Sequence, residues 1–207
     1  MSSRHHPLLQ SFVFFFLSLG LPVSACAGHG FASAFGNIEW LPEPGRTPDS
    51  TFYRLDMIRE ESQLFLAHTP KDKLTLCLIF AREKLAELEA MVKTENVAAA
   101  KIAAEYYQHY IDRATELIAE DAPDKEALTE TLAAALLEHQ YILSVIYEEL
   151  PVSTRAIVPL TITAAKERYD EVAARLSPKK RGAFFFKEEE VRWSVEMAKR
   201  LDEEQTP

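Results

Sequence analysis

Glycine is scarce in this chain. Six occur in 207 residues, at positions 20, 28, 30, 36, 45 and 182, so none lies between 46 and 181. Average usage is roughly 7%, and a glycine-free interval of that length points to helices. It also excludes the glycine-dependent motifs from the centre of the chain: a phosphate-cradling loop, a dinucleotide fingerprint or a nucleophile elbow cannot be written there. Cysteine is nearly as scarce, and two residues, Cys26 and Cys77, give no disulfide framework. Basic charge is in deficit too. With 23 Lys and Arg against 32 Asp and Glu, the formal net charge is -9, and nucleic acid is not expected as a partner.

What is present begins with a targeting segment. Arg4 precedes an apolar run from Ser11 to Leu19, and the exit reads Val23-Ser24-Ala25-Cys26, the layout of a secretory signal ending in a lipoprotein-type box. Residues 1–25 are therefore read as a signal peptide, with Cys26 as the lipidation site and new N-terminus. Ordinary cleavage at Ala25-Cys26-Ala27 or Ala32-Ser33-Ala34, and an uncleaved anchor, stay open as alternatives. Residues 26–47 hold most of the remaining glycines with Pro42 and Pro44, and read as a flexible tether. A membrane regulator with a cytoplasmic arm is disfavoured, since only about ten residues precede the apolar run.

Prolines at 48, 70, 123, 151 and 178 then divide the chain into helices. The spacing predicts one from about Asp49 to His68, and a second capped by Thr69 with Pro70 in its first turn. A third follows Asn96, a fourth runs from near Asp121 to before Pro151, and a fifth from Ser153 to before Pro178, kinked at Pro159. Apolar residues recur at steps of three and four: Leu74, Leu78, Ala81, Leu85, Leu88 and Val92, then Ala100, Ala104, Tyr107, Ile111, Ala114 and Ile118, then Leu128, Leu132, Ala135, His139, Ile142 and Ile146. Such stripes pack side by side. The expectation is an all-α fold: an elongated bundle of about five long helices over 48–177, plus a C-terminal extension, 178–207, that ends in a charged helix.

Few residues suggest chemistry. Glu105, His109 and Asp112 share a helical face and are candidate metal ligands, but the spacing lacks the Glu-x-x-His form of di-metal bundles. His139, on an apolar stripe, is a candidate ligand or proton switch, with a satisfied core histidine as the plainer reading. Tyr106, Tyr107 and Tyr110 read as core filling, and Cys77 as a buried small hydrophobe. Phe184, Phe185 and Phe186, with Trp193 on the charged helix, either dock on the bundle or form a partner patch. No triad, paired-carboxylate cleft or metal cluster is legible, so neither an enzyme nor a cofactor is expected.

Several short motifs carry a resemblance. Pro48-Asp49-Ser50 followed by Phe52-Tyr53-Arg54-Leu55, then Thr69-Pro70-x-x-Lys73, then Ala81-Arg82-Glu83-Lys84-Leu85-Ala86-Glu87, and later His139-Gln140 and Pro151, resemble an exported bacterial helical family catalogued as a domain of unknown function, number 5667. The resemblance spans about residues 47–176. It implies a helical fold and an exported location, and it brings no activity or catalytic residues. At Lys84 that family usually carries arginine.

These readings converge on a non-enzymatic cell-envelope lipoprotein, a helical binding or structural module in the periplasm or at the outer surface. Its expected partners are the membrane, through the lipid, and an envelope protein. A soluble periplasmic or secreted form is the alternative location. A metal or small-ligand sensor, using Glu105, His109, Asp112 and His139, is an alternative function. So is a chaperone-like client binder using the phenylalanine triplet.

Overall fold

The computed structural model describes residues 33–36, 38–119, 124–147 and 149–205. Among them are seven helices and no strand: α1 (Tyr53–Leu66), α2 (Pro70–Lys93), α3 (Val97–Ala119), α4 (Lys125–Tyr147), α5 (Ile157–Ala173), α6 (Pro178–Gly182) and α7 (Phe185–Gln205). The all-α bundle is therefore the fold. The signal segment and Cys26 lie outside the described residues.

Local chemistry accounts for the boundaries. At the start of α2 the Thr69 hydroxyl accepts from the Asp72 N–H at 3.1 Å and Pro70 occupies the first turn, so two of the orphan amide positions raise no demand. Asn96 caps α3 by accepting from the Ala99 N–H at 3.2 Å. Between those helices the chain reverses without glycine. Asn96 N–H donates to Met91 O at 2.8 Å and Glu95 N–H to Val92 O at 3.0 Å, while Glu95 sits at φ 58°. That is a Schellman closure with glutamate where glycine is usual. Its carboxylate accepts from Ser153 Oγ at 2.9 Å, a bond across to the turn that precedes α5.

α4 lies at the centre of the bundle. Its buried residues, from Leu128 through Leu132, Leu136, His139, Leu143 and Tyr147, go most of the way round the helix, as a helix packed on several sides requires. It contacts α2, α3, α5 and α7, and the most extensive pairing elsewhere is α2 on α3. Small residues suit that pairing: Ala99, Ala100, Ala103 and Ala114 of α3 are buried in the same core as Ala81, Leu85 and Leu88 of α2.

Two expectations change. α5 begins at Ile157, so Pro159 falls in its first turn, where an N–H has no intrahelical partner, and the expected kink has no cause. Part of the segment read as a flexible tether, residues 33–36 and 38–41, is laid against the helices, whereas residues 42–46 are exposed. Ser33 Oγ and Ala34 N–H each donate to Glu190 at 2.6 Å, Phe35 is buried and stacked on Tyr141 with ring centroids 4.5 Å apart, and Ile38 and Leu41 pack on the core. Arg82 of α2 holds the backbone carbonyls of Glu39 and Trp40. Pro42, Pro44 and Gly45 are exposed, as a linker requires, while the apolar Phe35, Ile38 and Leu41 find sites on the bundle.

Candidate functional site

α1 is packed the wrong way round for an ordinary amphipathic helix. Its buried residues are Tyr53, Glu60 and Leu64. Phe52 just before it, and Leu55, Ile58, Phe65 and Leu66 within it, are all exposed, Phe65 to 85%. Positions 55, 58 and 65 share one face at helical spacing, and 53, 60 and 64 share the opposite one. The helix turns a carboxylate inward and presents hydrocarbon to solvent.

A buried ionic network makes that orientation possible. Lys84 of α2 is fully buried, and its Nζ donates to Glu60 Oε1 at 3.0 Å and to Glu87 Oε1 at 2.7 Å. Its ammonium also stands 5.0 Å from the Tyr53 ring centroid, so the third N–H direction meets an aromatic face. The remaining carboxylate oxygens are filled as well: Tyr53 OH donates to Glu87 Oε2 at 2.9 Å, and Tyr110 OH of α3 to Glu60 Oε2 at 2.5 Å. Two carboxylates and one ammonium leave a net charge of -1 inside. Burial drives the Glu87 carboxyl upward, opposed by its bonds to Lys84 and Tyr53. Burial, reinforced by the adjacent carboxylates, also holds both tyrosine hydroxyls protonated far above their ordinary range. Every member has a partner, the condition under which such a network fixes one arrangement of helices.

The rim of α1 is tied to α3 as well. Arg113 Nη1 donates to both oxygens of Glu61, at 2.8 and 2.6 Å, and His109 Nε2 lies 3.5 Å from Glu61 Oε1. Between α1 and α3 runs an open groove of about 670 Å³, walled by Met57, Ile58, Phe65, Leu66, Tyr106 and Tyr110. A second groove of about 660 Å³, on the other side of Tyr106, is more polar and is lined by Arg54, Ile102, Glu105 and His109 among others. The chemistry on offer is an apolar strip edged with a few hydrogen-bonding groups, suited to contact with another apolar surface.

The sequence-derived candidates fall as follows. Glu105 and His109 meet at the second groove, whereas Asp112 accepts from Arg168 Nε of α5 at 2.8 Å. Among the described residues no three His, Cys, Asp or Glu side chains are grouped to hold a metal ion. His139 is buried in α4, its Nδ1 3.3 Å from the Tyr107 hydroxyl and its Nε2 without a hydrogen-bond partner among the described residues. Burial, with a smaller contribution from the charge of Arg82, lowers its pKa to about 3. Phe184 docks in the core, while Phe185, Phe186 and Trp193 are exposed. Tyr107 and Tyr110 are core residues; Tyr110 is also a network donor.

Glu60 was missed by sequence reading, and Lys84 and Glu87 drew notice only as motif letters. The available signal was Lys84 itself, which stands between Ala81 and Leu88 on the apolar stripe of α2, where a lysine needs a buried counter-charge.

Cys77 is a free, buried thiol whose pKa burial pushes up to about 11. An aromatic disulfide reagent at pH 8 is expected to modify it at least ~100-fold more slowly in the native protein than in urea. Equal rates would mean that α2 opens freely.

The model of a family described as Domain of unknown function (DUF5667) matches residues 45–153, more than half the chain. The chain belongs to that family. The match covers α1 to α4 and hence the whole buried network. Comparison with curated proteins and with solved structures returns no significant match.

Proposed function

We propose that this chain is an exported, lipid-anchored, non-enzymatic helical module of the cell envelope, and that it binds a protein partner through the outward apolar face of α1. The observation that carries the reading is the reversed helix. A chain that needed only stability could bury Leu55, Ile58 and Phe65 and leave Glu60 in water. Here a complete ionic network is buried while the hydrocarbon stays outside. Exposed contiguous apolar residues of this kind mark interaction surfaces. The anchor reading rests on the Val23 to Cys26 box and the apolar run before it. Among the described residues no helix is long and apolar enough to cross a membrane.

Two variants test the two parts. Cys26→Ser is expected to abolish acyl labelling and move the protein from the membrane fraction to the soluble one; unchanged labelling and fractionation would overturn the anchor. The double variant Ile58→Glu/Phe65→Glu changes exposed positions only, so its unfolding free energy is expected to stay within about 1 kcal/mol of the parent. Its association with the envelope partner is expected to fall at least about tenfold. Undiminished association would remove α1 from the account.

A further inference from the structure

We infer that the exposed aromatic stripe of α7, formed by Phe186 and Trp193, seats in the interface of the membrane that carries the Cys26 anchor, so that the bundle is held against the bilayer in one orientation. The inference rests on the lipid-anchor reading proposed above.

Ser33 and Ala34 are bonded to Glu190, and Phe35 is locked between Tyr141 and Lys187, whose Nζ stands 4.9 Å from the Phe35 ring centroid. Glu190 lies four residues after Phe186 and three before Trp193, on the same face of α7. The chain therefore reaches the bundle on the aromatic stripe itself, one helical turn from each exposed ring. Six residues lie between Cys26 and Ser33, which makes seven Cα–Cα steps. At 3.3–3.6 Å per residue they span at most about 25 Å, against about 75 Å for the full stretch to residue 47 on the same rule. An acylated Cys26 would thus bring lipid headgroups within reach of this face of α7.

The chemistry of the stripe suits that position. Trp193 is 67% exposed and Phe186 75%, with Phe185 edge-on to Phe186 at 5.5 Å. Aromatic side chains favour the boundary between headgroup and acyl chain. The three rings expose roughly 400 Å² in all, taking ~150–250 Å² for each when whole. That falls short of the ~800 Å² per partner typical of a stable protein interface, so a second copy is a poor occupant. A surface brought to the site by a short linker needs far less, because the effective concentration is in the millimolar range.

The test uses the acylated protein from its native membrane, carrying Trp40→Phe so that Trp193 is the sole tryptophan. It is reconstituted in phosphatidylethanolamine–phosphatidylglycerol vesicles with brominated acyl chains. Trp193 emission is expected to shift to the blue and be largely quenched. Adding Phe186→Glu should reverse the shift while the protein stays vesicle-bound. An acylated, vesicle-bound protein whose Trp193 stays unquenched and open to acrylamide would overturn the seat and leave the anchor standing. A Cys26 that carries no acyl group by mass spectrometry would overturn the anchor, and the seat with it.

Discussion

Lys84→Met is expected to destabilise the bundle by ~3–5 kcal/mol, the range for removing one partner from a buried ion pair. The loss arises because Glu60 and Glu87, both nearly without solvent exposure, would face each other with no cation between them. Urea unfolding followed by circular dichroism measures it. A shift below about 1 kcal/mol would mean that water already reaches the pair. The triple variant Lys84→Met/Glu60→Gln/Glu87→Gln removes all three charges and is expected to recover most of the loss. As a control, Lys166→Met breaks an exposed i,i+4 pair with Asp170 and is expected to change stability by no more than about 0.5 kcal/mol.

The network has a pH signature. The Glu87 carboxyl is raised in the folded state, so the native protein binds its proton more tightly than the unfolded chain. The associated stability is present below the ordinary carboxylate range and is lost as pH rises through the raised value. Glu87→Gln keeps a hydrogen-bonding amide beside Lys84 and Tyr53, and should remove that component of the pH dependence.

The second large effect belongs to His139, and its sign is opposite. Its folded-state pKa of about 3 lies below the ordinary 6.5, so between those values the unfolded state holds the extra proton. The His139 contribution is full above 6.5 and falls by ~1.4 kcal/mol for each pH unit below it, until about pH 3. His139→Gln, uncharged at all these values, is expected to flatten this acid limb by several kcal/mol at pH 4. An unchanged acid limb would place the acid sensitivity in carboxylates instead. The burial that sets this value also makes a proton-switch role costly, because among the described residues a charged imidazole here has one hydrogen-bond partner, the Tyr107 oxygen, and is opposed by the charge of Arg82.

The sequence made the helices readable because the signals were redundant. Thr69, Pro70 and Asp72 agreed with the Leu74 to Val92 stripe, and Asn96 with the one beginning at Ala100. The domain of unknown function was recognisable for the same reason, its motifs being helix starts. Pro159 misled because the true start of α5 depends on a turn at Pro151 to Arg155 that propensity alone does not place. The strap from Ser33 to Leu41 was hidden because it is fixed by Glu190, Tyr141 and Arg82, over 40 residues away in sequence. The reversal of α1 was hidden by its own pattern: Leu55, Ile58 and Phe65 have proper core spacing, and only tertiary pairing of Glu60 with Lys84 turns them outward.

If α1 offers its apolar face to an envelope protein, that protein lies within bonding reach of Ile58. A photo-reactive amino acid at position 58, activated in intact cells, measures it most directly. One prominent covalent adduct with an envelope protein is expected from position 58, and none from exposed position 131 on α4. No adduct at 58, or equal adducts at both positions, would contradict it.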